Sequence, residues 1–194
     1  MKRVLDEQCF VSTNRPTSID LLINSDGLPL SRSNGLKFWP ILLTTNLTRE
    51  YVSVVYNLEC RSTPKVTELC RYFVEGLIFI FTSGYTYPNG VQFPAHLEGF
   101  LCDCPATAFL LAIKGRHGGY RCCWKCTMWP TDEHEINRAV SLLTTPDTVI
   151  RTGAQFRSQS DPEHHKGTSP LVNMSPEIYD SVDHQKMDPF DTCY

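Results

Sequence analysis

The sequence lacks an excess of either charge, and it lacks long apolar runs. Lys and Arg total 18 against 21 Asp and Glu in 194 residues, a net charge of −3. That excludes a chain-wide cationic surface for nucleic acid. Local basic patches stay open, because net charge says nothing about distribution. The run Leu77-Ile78-Phe79-Ile80-Phe81 falls far short of the roughly 20 residues a membrane span needs. Met1 to Glu7 holds no apolar stretch of the signal-peptide kind. A soluble, intracellular chain with no membrane partner is expected. The common nucleotide and hydrolase signatures are missing as well: there is no P-loop, no G-x-G-x-x-G and no G-x-S-x-G. His134-Glu135 opens a zinc-protease pattern, but its fifth position is Arg138 and the pattern fails.

The apolar fraction of 41% excludes disorder over the whole chain. The length suffices for one domain, or for one domain with a small insert. Nine cysteines are too odd a number for a closed disulfide framework. Without an export signal they read as reduced thiols, some of them metal ligands.

Residues 1–17 are polar and read as a lead-in segment. Ile19 to Asn24 reads as a buried strand that stops at the turn signal Ser25-Asp26-Gly27. Phe38 to Leu43 is a second strand, in which Pro40 predicts an edge position or a bulge. Tyr51 to Leu58, rich in β-branched and aromatic residues, is a third. Short connectors make these an antiparallel meander. Thr63-Pro64 then predicts a helix start, with Thr63 as cap and Pro64 as first helical residue. Val66, Leu69, Cys70, Phe73, Leu77 and Phe81 share one helical face, and Gly84 ends the helix. His96 to Cys102 is a fourth strand, and Pro105 opens a short helix through Ile113. Three strands, a helix, a strand and a helix are the opening of an RNase H-like α/β fold: a mixed sheet with flanking helices. We divide the chain into a lead-in (1–17), a partial RNase H-like core (18–117), a Cys/His insertion (118–171) and an irregular tail (172–194).

Asp26 ends the first strand and Asp103 ends the fourth, and in such a sheet these strands are neighbours. Two close carboxylates repel unless a cation lies between them. Oxygen ligands of this kind suit Mg²⁺ or Mn²⁺. Two such ions activate a water or 3′-hydroxyl and stabilise the leaving oxygen of a phosphodiester. Asp103 also precedes a helix N-terminus, which favours its charged form. The alternatives are plain: Asp-Gly is a common turn, and Asp before Cys-Pro caps a helix. Cys102 and Cys104 are expected to point away from Asp103 and pack as small apolar groups.

Cys123-x-x-Cys126 has the spacing of a zinc knuckle, and His164-His165 offers a second half for a tetrahedral site. The separation is longer than in a zinc finger, so the site would clasp a long loop. An exposed thiol pair and a solvated His-His is the alternative. A redox reading is poorer, since no βαβ pattern surrounds the pair. Lys114, Arg116, Arg121 and Lys125, interleaved with Tyr120 and Trp124, form a basic stretch that could touch phosphates and stack on bases.

Taken together, four blocks in order resemble the catalytic domain of eukaryotic DDE-type DNA transposases of the CACTA-like group. They are Ile23-Asn24-Ser25-Asp26-Gly27-Leu28-Pro29-Leu30 with Phe38-Trp39-Pro40; Cys102-Asp103-Cys104-Pro105 with Lys114-Gly115 and Cys123-x-Lys125-Cys126; Arg151-Thr152 with Phe156; and His164-His165-Lys166-Gly167 with Ser169-Pro170-Leu171. The resemblance implies an RNase H-like fold, with Asp26 and Asp103 as the first two members of an acidic triad that binds Mg²⁺ or Mn²⁺. It implies Cys123, Cys126, His164 and His165 as ligands of a structural Zn²⁺ in an insertion. It implies DNA as partner, a nuclear location, and DNA cleavage and strand transfer as the parent activity; a homo-oligomer is compatible with it. The third acid is not identified among these residues, so the chain is expected to be a fragment or domesticated copy, inactive or nearly so by itself. The alternative is a non-catalytic, zinc-stabilised DNA- or protein-binding module. A nuclease acting on RNA–DNA hybrids ranks last, because only two of its four acids are found.

Overall fold

The computed structural model describes residues 2–11, 17–30, 35–47, 52–87, 89–115, 121–127 and 149–187. The elements, in chain order, are α1 (Lys2–Val11), β1 (Ile19–Ser25), β2 (Leu28–Pro29), β3 (Lys37–Thr45), β4 (Ser53–Cys60), α2 (Val66–Ser83), β5 (Tyr85–Thr86), β6 (Gln92–Phe93), β7 (Ala95–Cys102), α3 (Cys104–Leu110), α4 (Gly153–Ser158), a 3-10 turn at Pro170–Asn173 and β8 (Gln185–Met187). The main sheet runs β4-β3-β1-β7-β8, with β2 alongside β3 beyond the end of β1. β1 and β4 are antiparallel to β3, whereas β7 is parallel to β1 and β8 is parallel to β7. The chain is thus mixed α/β, as expected, with the antiparallel meander in place. No helix among the described residues is long and apolar enough to cross a membrane.

Alternation builds the sheet. Ile19, Leu21, Ile23 and Ser25 of β1 are buried, while the residues between them are half-buried. The buried set joins Ile41 and Leu43 of β3, Phe100 and Cys102 of β7, and Leu69, Phe73, Val74 and Leu77 of α2 in one core. Pro40 does not mark an edge, because β3 has partners on both sides. It falls at the break between β1 and β2, where Ser25 pairs with Ile41 and Leu28 with Phe38. The neighbouring bulge is real: Ile41 pairs with Tyr56 and Leu42 with Val54, leaving Val55 as the extra residue.

Three local expectations shift. α2 starts at Val66, with Lys65 extended before it (φ −73°, ψ 142°). The backbone N–H of Lys65 donates to the Glu68 carboxylate at 3.2 Å, so the third helical residue reaches back to hold the entry. α3 ends at Leu110 rather than Ile113, because Ala112 turns to positive φ (53°) and Ile113 forms a backbone bridge with His165. The lead-in is helical: Leu5 of α1 is fully buried, and Asp6 accepts a hydrogen bond from the Tyr85 hydroxyl.

The region expected to be irregular adds residues to the same core. Phe156, Leu171, Met174 and Tyr179 are buried. Tyr179 stands edge-on to Phe100 of β7, with ring centroids 5.7 Å apart. Arg157 of α4 donates to the carbonyls of Val172, Met174 and Tyr179 at 2.6–2.7 Å, which ties the turns after α4 together. β8 then extends the sheet beside β7.

Candidate metal-binding carboxylates and Cys/His cluster

The register between β1 and β7 decides how the two aspartates stand. Leu21 is level with Leu97, but Leu22 is level with Gly99, so Glu98 is an extra residue on β7. Ile23 then faces Phe100. Next, the Asn24 side-chain amide donates to the Leu101 carbonyl, continuing the row. Asp26 and Asp103 each follow three positions later, one residue past the ends of β1 and β7. Without the bulge, Asp26 would be level with Cys102. Gly99 makes the bulge feasible: its φ is +151°, and a Cβ there would lie 2.7 Å from the His184 carbonyl oxygen.

Each aspartate is held by its own turn. Asp26 Oδ1 accepts the Gly27 N–H at 2.6 Å. Asp103 caps α3, with Oδ1 accepting the Ala106 N–H at 2.6 Å. The structural reading of Asp103 as a cap is therefore correct, and it leaves the metal reading intact, because a carboxylate has further lone pairs. Trp39 packs behind both turns. Its ring lies where a Cβ on Gly27 would be, at 2.5 Å, and it stacks at 4.7 Å between centroids on Phe109 of α3. Cys104, next to Asp103, is in a disulfide. That overturns the expectation of uniformly reduced thiols and of Cys104 as a small apolar packing group. Cys102 is a buried thiol outside any disulfide, as expected.

In the Cys/His region the two sulfurs of Cys123 and Cys126 lie 3.3 Å apart. Cys126 is buried and bridges Ile150. His164 is buried too, and its Nδ1–H donates to the Arg121 carbonyl at 2.6 Å. A carbonyl can only accept, so the Nε2 side of His164 carries the lone pair, the tautomer a metal-ligating histidine uses. The Nδ1 of His165 is buried without a hydrogen-bond partner. These are the donor types that Zn²⁺ takes. Among the described residues, no three His, Cys, Asp or Glu side chains converge on a common point.

Arg151 and Asp161, to which the sequence reading gives no role, join the two halves. Arg151 Nε donates to the carbonyls of Cys123 and Cys126 at 3.0 and 3.1 Å, and its Nη1 donates to Asp161 Oδ2 at 3.0 Å. Asp161 Oδ1 accepts from Arg121 at 2.8 Å. Partial burial opposes ionisation of Asp161, but its hydrogen bonds from Arg121 and Arg151 prevail and hold its carboxyl below the usual range. Burial, Arg151 and His165 push the His164 imidazole down to about 4, against the hydrogen bond to Arg121 and the charge of Asp161. Burial and Arg151 likewise lower His165.

The basic stretch is divided. Arg121 is committed to Asp161, with Glu163 3.6 Å away. Lys125 is exposed and Lys114 is half-buried. Arg116 lies outside the described residues, as does His134-Glu135. A cleft of about 600 Å³, bordered by His96, Glu177 and His184, opens near the start of β7, away from both aspartates. Comparison of the chain with known protein families, curated proteins and solved structures finds no match.

Proposed function

We propose that residues 18–117 form the core of an RNase H-like catalytic domain of the DDE transposase type, with Asp26 and Asp103 as two of its metal-binding carboxylates. One observation supports the reading: β1 and β7 are parallel neighbours with an extra residue at Glu98, so that Asp26 and Asp103, each one residue past its strand's C-terminal end, lie the same three positions beyond the Ile23–Phe100 pair. The sheet order supports it, since the first strand of the meander lies beside β7, as such a fold requires. Asp26 and Asp103 would hold Mg²⁺ or Mn²⁺ together with substrate phosphate oxygens, and the bound ion supplies polarisation of the phosphodiester and activation of the attacking water or 3′-hydroxyl. The chain's own part is positional. The Gly27 and Ala106 amides, Trp39 and the Asn24–Leu101 bond orient the carboxylates in advance, so that little is lost in ordering them. Only two carboxylates are assigned, so the chain of residues 1–194 is expected to cleave no DNA. Mn²⁺-dependent cleavage that Asp26→Asn abolishes would overturn that expectation.

Asparagine tests the pair cleanly. It accepts the same backbone N–H bonds as aspartate, so Asp26→Asn and Asp103→Asn keep turn and cap while removing the charge. Calorimetric titration with Mn²⁺ is expected to show binding by the native chain and clearly weaker binding by either variant, at unchanged Tm. A native chain that ignores Mn²⁺, or variants that bind it equally well, sinks the reading.

The second reading is a zinc-stabilised DNA- or protein-binding module, with Cys123, Cys126, His164 and His165 holding the ion. The Arg151–Asp161–Arg121 network favours it, because it orders the cluster independently of the aspartates. Metal analysis of the purified chain and of Cys123→Ser is the test. In this reading zinc is lost in the variant and residues 121–166 become protease-sensitive, while Asp103→Asn leaves DNA binding as it was.

A further inference from the structure

Among the described residues, seven buried side-chain polar atoms lack a hydrogen-bond partner, and three of them belong to residues around one cavity. They are Trp124 Nε1, Arg151 Nη2 and His165 Nδ1. The cavity, about 10 Å³, is bordered also by Leu111, Phe156 and Asp161. Its size is the room that one water needs.

The chemistry of the three groups defines the occupant. An indole N–H and a guanidinium N–H can only donate. Arg151 is 7% exposed, so bulk water does not reach its Nη2. Asp161, the carboxylate among the bordering residues, already accepts from both arginines. A buried donor without an acceptor loses its hydration with nothing in return, and two donor-only groups around one small cavity make an empty interior costly. A cation cannot accept these bonds, so a zinc ion held by the neighbouring thiols would be a separate ligand. The arginines exceed the half-buried Asp161 in charge, and Glu163, 67% exposed, offsets that only weakly.

We propose that this cavity holds a single one-atom hydrogen-bond acceptor, a water oxygen or a halide ion, bound by Arg151 Nη2–H and Trp124 Nε1–H. His165 Nδ1 completes the shell, donating to a halide or to the oxygen of a water, or accepting from a water. The occupant links the knuckle, through Trp124, to the histidine pair, and so rivets the two halves of the cluster. This inference is independent of the carboxylate pair and of the transposase reading.

The test is an atomic-resolution crystal structure of the full chain grown in bromide. The expected result is one spherical peak within hydrogen-bond reach of both donors. Anomalous signal at the bromine edge identifies a halide, and its absence identifies water. An empty cavity, donors turned to protein acceptors, or a zinc-edge peak bonded to His165 Nδ1 overturns the proposal. A solution measurement guards against crystal effects. In ¹⁵N-labelled protein, with Trp124→Phe to assign the signal, the Trp124 indole proton should either exchange magnetisation with a long-lived water or shift when bromide replaces chloride. An indole proton that does neither overturns the proposal as well.

Discussion

Gly27 and Trp39 show how much one residue pair governs. A Cβ at position 27 would lie 2.5 Å from the Trp39 ring, and that ring also supports Phe109 of α3. Gly27→Ala must therefore push the ring away from the turn that carries Asp26. We expect a loss of about 1–3 kcal/mol in urea unfolding, as for other overpacked sites, together with weaker Mn²⁺ binding. Arg151 is the corresponding residue of the Cys/His cluster. Arg151→Met leaves the carbonyls of Cys123 and Cys126 without their donor and Asp161 with one arginine. Loss of about 3 kcal/mol or more is expected, with proteolysis starting between residues 121 and 166 as the readout. Asp26, Asp103, Cys123 and Cys126 are conspicuous in the sequence because their neighbours form motifs. The Arg151–Asp161 pair is not, although Arg151 opens one of the blocks, because a salt bridge between residues on either side of α4 has no periodicity to reveal it.

At the scale of elements, the bulge in β7 is the part that matters most. Gly99 combines a φ of +151° with close approach to the His184 carbonyl. Gly99→Ala should strain the backbone by about 1–3 kcal/mol and push β8 outward. Hydrogen exchange is the measurement: faster exchange in 184–187 with α2 unchanged is the expected pattern. Deleting Glu98 removes the extra residue and should bring Asp26 level with Cys102, abolishing Mn²⁺ binding in a chain that still folds. The strands and α2 were legible in the sequence, since alternation and helical spacing write burial directly into residue order. The bulge was not, because Glu98-Gly99 reads as ordinary strand until a partner strand sets the count. α1 was missed for a similar reason: its polar composition hides that Leu5 meets the core only through tertiary packing.

Over the whole molecule, acid acts on the cluster from several groups at once. His164 lies well below its ordinary 6.5, at about 4, and His165 and Asp161 are also lowered. Each therefore takes up protons more readily in the unfolded chain, so stability rises with pH over this range. The His164 contribution is complete above about pH 6.5 and is lost as the pH falls toward about 4. It amounts to up to about 3 kcal/mol. Chelator-treated protein should show its urea midpoint falling across that window. His164→Gln should flatten the dependence; an equally steep one in that variant would exclude His164 as its source.

Residue order by itself determined the α/β class, the meander, α2 and the chemistry available in the Asp, Cys and His motifs, because local alternation, turns and ligand types are properties of neighbours in the chain. Tertiary structure decided which of those groups meet. It put one extra residue into β7 against β1, held Cys104 in a disulfide, bound Arg121 to Asp161 and placed Tyr179 against Phe100. Such pairings depend on strand register and on contacts between distant segments, where packing and charge compensation select the partner and local sequence does not.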